Sequence, residues 1–151
     1  MNRVWVYQAN RKLSVNEQEK VNAFMQHFIA NWKAHGAKLN ADYELLHGLF
    51  LVIKVDERSQ EATGCSIDES VHALKGLQQE LGIDFFNRQR TAFELNGEVE
   101  ECSLAEFKAK AQAGEITGDT MVFNNAISTQ EEYESNWKIP ASQSWHNRVL
   151  A

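Results

Sequence analysis

Hydrophobic positions recur along this chain with the two periods that are typical of helices and of strands. Val21, Met25, Phe28 and their neighbours follow the i, i+3, i+4, i+7 spacing of one buried helix face. A second stripe runs from Ile67 to Leu81, and shorter helices are predicted at about 104–113 and 129–137. A Ser-x-x-Glu pattern, typical of a capping box, precedes each helix: the pairs are Ser14/Glu17, Ser66/Glu69, Ser103/Glu106 and Ser128/Glu131.

Apolar runs between these helices predict strands. Residues 49–55 are apolar on both faces, which indicates a strand at the centre of a sheet. Asn96-Gly97 is a strong hairpin signal, because both positions of that turn need positive φ. Further strands are predicted at 4–7, 43–47, 88–95, 98–102 and 121–123.

The order of elements through residue 95 is strand, helix, strand, strand, helix, strand. This order predicts an α+β fold with a βαββαβ, ferredoxin-like core. We expect a single-layer mixed or antiparallel sheet covered by helices, to which a C-terminal hairpin arm and two helices are added. All 151 residues are expected to form one domain, with 137–151 as a tail packed on the core.

The balance of charge narrows the classes of partner. The net charge is −6, and no run of lysine or arginine provides the positive surface that a phosphate backbone needs, so we expect no nucleic-acid partner. No segment approaches the roughly 20 apolar residues that span a bilayer, so no membrane partner is expected either. Two cysteines, Cys65 and Cys102, do not form a disulfide framework, which favours a cytoplasmic location.

The most suggestive chemistry lies between the central strand and the second helix. Cys65 precedes the predicted helix start, where main-chain amides and the helix dipole favour a thiolate. A nucleophilic cysteine also needs a base within hydrogen-bond reach, and His72 and His47 are the candidates. A helical wheel turns His72 toward solvent. The alternative is a buried and inert Cys65.

The same helix start has the geometry of an anion-binding site. The candidate binding residues of this loop and helix start are Asp56, Thr63, Gly64, Ser66 and Asp68. A hard-cation site at Asp56, Glu57, Glu61 and Asp68 has no EF-hand-like alternation with a mid-loop glycine to support it, so a solvated acidic loop is expected there. The five histidines and two cysteines show no CxxC, HxxxH or HxH spacing. We therefore predict no metal site and no cofactor.

Two features near the C-terminus leave alternatives open. Trp137–Pro140 together with Trp145–Arg148 is either a docking segment for a partner or a tail that anchors its tryptophans on the core. Asn124-Asn125 either faces a pocket or turns the chain. A homodimer through a sheet edge or a helix face is a further expectation.

Three segments carry a resemblance to a known family. Arg3–Gln8 (RVWVYQ), Asn31–Gly36 (NWKAHG) and Ala62–Asp68 (ATGCSID) resemble a family of small Bacteroidetes proteins that often carry the name "ABC transporter ATPase". That name implies nucleotide hydrolysis. The chain has no GxxxxGK[ST] phosphate loop and is shorter than an ABC ATPase domain, so no ATPase activity is expected.

The leading hypothesis is a cytosolic binding or interaction module that lacks a complete catalytic constellation. Its partner would be an unknown small molecule or protein. The alternative is a small thiol-dependent enzyme that uses Cys65, assisted by Asp56, His47 or His72.

Overall fold

Helices and strands alternate through most of the chain in a computed structural model that describes residues 2–150. The helices are α1 (Val15–Asn31), α2 (Gly64–Leu81), α3 (Leu104–Gln112) and α4 (Gln130–Asn136). The strands are β1 (Asn2–Gln8), β2 (Lys33–Ala34), β3 (Ala37–Lys38), β4 (Asn40–Leu46), β5 (Phe50–Asp56), β6 (Arg90–Leu95), β7 (Glu98–Ser103), β8 (Met121–Phe123) and β9 (Lys138–Pro140). Two 3₁₀ turns follow at Ala141–Gln143 and Trp145–Val149. None of the helices in residues 2–150 is long and apolar enough to cross a membrane.

The strands form two antiparallel sheets and a short ribbon. The first sheet has the order β1-β5-β4, the second has the order β7-β6-β8-β9, and β2 pairs with β3 in the ribbon. The predicted α+β class, with antiparallel pairing and four helices, is confirmed. The strand at 49–55 lies at the centre of its sheet, as its apolar faces predicted.

The prediction of a single-layer sheet is wrong, and the ferredoxin-like topology is not confirmed. β5 is antiparallel to both β1 and β4, so β1, α1 and β4 form a split βαβ unit. The full motif would also place β6 beside β1. Instead, β6 pairs with β7 and with β8. The two-residue turn at Asn96-Gly97 closes the β6–β7 pairing at little entropic cost, which favours this sheet.

The two sheets pack against each other through aromatic side chains. Residues that face each other across antiparallel strands lie on one side of a sheet, so Phe50 shares its side with Gln8 and Val52 with Val6. The Phe50 ring lies 4.8 Å from Phe123 of β8 and 5.1 Å from Trp137. The side chains of Val6 and Gln8 therefore face the second sheet.

Helices cover the outer faces of both sheets. On the first sheet, Trp5 of β1 meets Trp32 at the end of α1 with ring centroids 6.2 Å apart. On the second sheet, Phe107 of α3 lies 6.1 Å from Phe93 of β6. The C-terminal turns pack on this same face, because Phe107 also contacts the buried His146 at 5.3 Å.

Short polar patterns correctly placed two of the four helix starts. Capping boxes at Ser14/Glu17 and Ser103/Glu106 are confirmed, with the serine oxygen accepting from the third helical amide in each. The capping box predicted at Ser128/Glu131 is wrong: α4 begins one residue later, with Thr129 as its N-cap, and the Thr129 side chain accepts from the Glu132 amide at 3.1 Å.

The capping box predicted at Ser66/Glu69 is wrong. α2 begins at Gly64 with Thr63 as its N-cap, and the Thr63 side chain accepts from the Ser66 amide at 3.1 Å. Ser66 is buried, and its Oγ accepts from the Thr63 amide at 2.7 Å. Threonine caps a helix as serine does, so the earlier cap extends the helix by one turn. The buried face also shifts to Ser66, Ser70, Leu74, Leu77 and Leu81.

Candidate functional site

The predicted thiol site lies at the surface, at the start of α2. Cys65 is exposed in the first helical turn, so the buried alternative does not hold for this cysteine. His72 is exposed, as predicted, seven residues further along the helix. Seven residues correspond to about 10 Å along a helix axis, which is beyond hydrogen-bond reach. The described geometry therefore gives Cys65 no direct proton acceptor in His72.

His47, the second predicted base, lies at the opposite end of the first sheet. It occupies the turn between β4 and β5 with a φ of 58°, and its ring lies 6.2 Å from Phe50. The Cys65 loop leaves from the far end of β5, at Asp56. Because β5 has seven residues, about 20 Å of strand separates the two ends. The structure does not bring His47 and Cys65 together.

Three of the five predicted binding residues are engaged with one another or with a neighbour. The Thr63 and Ser66 hydroxyls satisfy the helix cap. Asp56 accepts from the Arg58 Nε at 2.9 Å, and this guanidinium holds the pKa of Asp56 below its usual range. Gly64 and Asp68 are exposed. The Thr63 and Ser66 hydroxyls are therefore occupied by the helix cap, and Asp56 is occupied by Arg58.

A cleft opens beside the free edge of β1. In the ferredoxin-like order β6 would pair with this edge, but it belongs to the second sheet instead. The volume of the cleft is about 940 Å³. Part of the β1 edge is covered, because the Val4 amide donates to the Ser128 carbonyl at 3.0 Å. From Val6 onward the edge borders the cleft, which also touches the α2–β6 loop, the loop after β8 and the C-terminal turn. The lining residues are Val6, Tyr7, Gln8, Phe85, Phe86, Asn87, Arg88, Arg90, Asn125, Ala126, Trp145 and Arg148.

Aromatic side chains supply the apolar part of this cleft. Tyr7 and Phe86 meet edge to face with centroids 5.4 Å apart, and the buried Phe85 of the α2–β6 loop also lines the cleft. Burial raises the pKa of Tyr7. Trp145 also lines the cleft, and its ring stacks on His146 with centroids 3.7 Å apart. Such a lining favours a ligand with an apolar or aromatic portion.

One chain of hydrogen bonds fixes how the cleft amides are oriented. The Trp137 indole N–H, which can only donate, bonds to the Asn125 Oδ1 at 2.9 Å. The Asn125 Nδ2 must then donate, and it does so to the Gln8 Oε1 at 3.0 Å. The remaining Gln8 Nε2 is buried and has no hydrogen-bond partner among residues 2–150. Gln8 thus lines the cleft and carries buried N–H donors that no acceptor within residues 2–150 satisfies.

Three arginines line the same cleft, but they differ in their partners. Arg90 donates from Nε to Glu101 at 2.9 Å. Arg88 and Arg148 are exposed, and neither makes a salt bridge within residues 2–150. The chain as a whole has a net charge of −6, whereas these two cations make the cleft locally positive.

The main chain around these arginines is well tied down. Arg88 sits in a turn where the Asn87 Oδ1 accepts from the Gln89 amide at 2.8 Å. The start of the same loop is held by the Asp84 amide, which donates to the Asn10 Oδ1 at 2.9 Å. The cleft wall is therefore largely preformed, which lowers the entropic cost of binding a ligand.

A buried histidine anchors the opposite wall. His146 Nε2 lies 2.8 Å from Thr91 Oγ1 of β6, and Nδ1 lies 2.7 Å from Ser144 Oγ. Burial lowers the pKa of His146 to about 4, so the ring is neutral at pH 7. It holds the turn that carries Trp145 and Arg148 against the second sheet.

Sequence reasoning indicated only part of this cleft. Of the features left open, Asn125 does face a pocket, and Trp145 and Arg148 line it. Gln8 and Arg88 were missed, because a polar residue at a strand end and an arginine in a loop carry no distinguishing sequence signal. Residues 2–150 contain no group of three or more His, Cys, Asp or Glu side chains that could hold a metal ion.

No protein-family model, curated protein or solved structure matches this chain.

Proposed function

We propose that this protein is a binding module whose cleft takes a ligand with a carboxylate, or another small anionic group, beside an apolar part. One observation carries the proposal: the buried Gln8 Nε2 has no hydrogen-bond partner within residues 2–150, and Gln8 lines one aromatic cleft together with the guanidinium groups of Arg88 and Arg148, which form no salt bridge within those residues. Each of these groups donates hydrogen bonds and none accepts them. A ligand that offers several acceptor oxygens is the complement of this set.

Gln8 gives the first energetic reason why a ligand with acceptor oxygens would bind in this cleft. Leaving a buried donor unsatisfied costs about 1–3 kcal/mol, so native proteins keep only a few such groups per 100 residues. A ligand oxygen that accepts from Gln8 Nε2 removes this penalty on binding. A guanidinium adds charge-assisted bonds, which are roughly twice as strong as neutral ones. The aromatic lining contributes the burial of apolar ligand surface.

N-acetyl-phenylalanine is a suitable probe, because it joins one carboxylate to one aromatic ring. We expect a titration followed by ¹H–¹⁵N NMR to shift the Gln8 and Asn125 side-chain amides and the Trp145 indole. The double variant Arg88→Gln/Arg148→Gln should bind about tenfold more weakly, since it loses charge-assisted bonds. Arg58→Gln is the matched control, because Arg58 is exposed and does not line the cleft.

The uncharged analogue N-acetyl-phenylalaninamide separates charge from apolar contact. The amide should bind the unmodified protein more weakly than the acid does. The double variant should bind the amide and the acid equally. If the acid and the amide bind alike, or if the shifts fall outside the cleft, the proposed anion recognition is wrong.

One observation still supports the alternative function, which is thiol chemistry at Cys65. Cys65 is exposed in the first turn of an 18-residue helix. A base would have to come from the ligand or from water, since His72 and His47 lie too far away. The alkylation rate of Cys65 against pH tests this function: a midpoint well below the ordinary value of about 8.5 would support an activated thiol. A midpoint at or above that value would exclude it.

Family membership and location are separate proposals. We propose that the chain is related to the small Bacteroidetes proteins that it resembles, and that it is cytoplasmic, as its two cysteines favour. Nucleotide hydrolysis is not part of the proposal, because the chain has no GxxxxGK[ST] loop and the cleft is lined without lysine.

A further inference from the structure

We propose that the cleft ligand is an extended peptide with a free C-terminal carboxylate, which pairs with the open edge of β1 as an added strand. This inference rests on the proposed function, since the same arginines would take the carboxylate. It adds a second element of recognition, namely the main chain of β1.

In an antiparallel pair, the main-chain groups of successive residues point alternately toward the partner strand and away from it. The Ala9 amide donates to the Leu49 carbonyl at 2.8 Å, so odd-numbered residues of this segment face β5. The Val4 amide donates in the opposite direction, to Ser128 at 3.0 Å. Val6 and Gln8 lie two and four residues beyond Val4, so their N–H and C=O groups also point away from β5.

These outward groups of Val6 and Gln8 form no hydrogen bond with any main-chain group of residues 2–150. Both residues line the cleft. An unpaired strand edge of this kind is a template for another extended chain. Peptides use it by β-augmentation, in which main-chain bonds supply affinity and nearby pockets select side chains. Val6–Gln8 spans about 7 Å between its end residues, enough to pair with roughly three peptide residues.

Charge complementarity selects the end of a peptide rather than an internal segment. Arg88 and Arg148 lie at the same cleft and have no carboxylate partner within residues 2–150. A C-terminal carboxylate supplies an anion directly on the main chain, where an added strand would end. Tyr7, Phe86 and Trp145 then provide a surface for an apolar last side chain.

A second copy of this chain fits the same edge less well. Pairing β1 with β1 by a two-fold axis would bring Arg88 and Arg148 of both copies toward each other, which is repulsive. The loop that carries Phe86 and the turn that carries Trp145 also stand beside the edge. A short peptide can enter between such walls more easily than a strand that is part of a sheet.

The probe is an equimolar pool of acetylated tetrapeptides, Ac-Xaa-Xaa-Xaa-Phe, with free carboxylates. Binding to the full chain is followed by ¹H–¹⁵N NMR and by hydrogen exchange. We expect the backbone amides of Val6 and Gln8 to shift and to become protected. We also expect the pool to bind about tenfold or more tightly than N-acetyl-phenylalanine, because each main-chain bond adds about 0.5–1.5 kcal/mol.

Two N-methylated pools provide matched controls. One pool is methylated at the amides of the first and third residues, and the other at those of the second and fourth. Only one set of amides can point at β1, so one pool should bind about tenfold more weakly than the other. Arg88→Gln/Arg148→Gln should weaken the binding of the unmethylated pool as well.

The outcomes distinguish strand pairing by a peptide from the proposed anion binding in the cleft. If N-acetyl-phenylalanine binds as tightly as the pool, or if both methylated pools bind equally, strand pairing is wrong and anion binding stands. If neither probe binds in the cleft, both proposals fail. If the Val6 and Gln8 amides are already protected without peptide and the sedimentation mass is doubled, a second copy occupies the edge and the peptide inference is overturned.

Discussion

At the scale of single residues, the two cysteines have opposite surroundings. Cys65 is exposed at the start of α2, whereas Cys102 on β7 is buried in the cluster beneath α3. Burial is the main cause that raises the pKa of Cys102 to about 11, and Glu106 and Glu101 add to it. Because the thiolate is the reactive form, burial and charge together protect Cys102.

We therefore predict selective alkylation of the folded protein. With iodoacetamide at pH 8, Cys65 should be modified first, and Cys102 should react more than about a hundredfold more slowly than a free thiol of pKa 8.5. Mass spectrometry of peptides from quenched samples measures both rates. In 6 M guanidinium chloride both cysteines should react alike; comparable rates in the folded protein would contradict the burial of Cys102.

At the scale of elements, two glycines illustrate how local backbone conformation decides the effect of a side chain. Gly97 lies in the β6–β7 turn with a φ of 79°, a conformation that disfavours any residue with a Cβ. Gly76 lies within α2, and a Cβ built there meets no atom within 4 Å. The same substitution should therefore have opposite signs at the two positions.

Gly97→Ala should lower the free energy of unfolding by about 1–2 kcal/mol, because alanine is strained at positive φ. Gly76→Ala should raise it by about 0.5–1 kcal/mol, because alanine has the higher helix propensity and restricts the unfolded chain. Urea unfolding of both variants at pH 7 measures the two changes. A stabilised Gly97→Ala would mean that the Asn96-Gly97 turn has a different backbone from the one described.

At the scale of the whole molecule, His146 joins the C-terminal turn to the second sheet and so positions one wall of the cleft. Its pKa is about 4 in the folded state and about 6.5 in an unfolded chain. Between these values the unfolded state binds more protons, so stability rises with pH. The contribution of the neutral ring is complete above about pH 6.5 and is lost as the pH falls toward 4.

His146→Gln should remove this component of the pH dependence. At pH 7 the variant should be less stable by about 1–3 kcal/mol, because the bonds to Thr91 and Ser144 are disturbed. Its disadvantage should shrink between pH 6.5 and pH 4, as urea midpoints across this range would show. His72→Gln, at an exposed site, should follow the parent protein; a constant gap between His146→Gln and the parent would argue against a neutral buried ring.

The local elements could be read from the sequence because their causes are local. The Ser14/Glu17 capping box, the α1 stripe and the Asn96-Gly97 turn depend on residues within a few positions of each other. The start of α2 was misplaced because Thr63 and Ser66 are both competent caps only three residues apart. Tertiary packing decides between them: Ser66 lies on the buried side of α2, where its carbonyl accepts from the Trp32 indole at 2.8 Å.

Long-range contacts decided what the sequence left open. Whether β6 joins the first sheet or the second depends on competing pairings between distant segments, and periodicity cannot rank them. The open edge of β1 follows from that choice, and so does the cleft in which Gln8, Asn125 and Arg148 meet from positions far apart in the chain. By itself, the sequence determined the four helices, the longer strands and the α+β class, because those depend on neighbouring residues; the short strands β2, β3 and β9 were not predicted. Only the tertiary structure moved the candidate site from the Cys65 loop to this cleft, because a binding site depends on which side chains share a space.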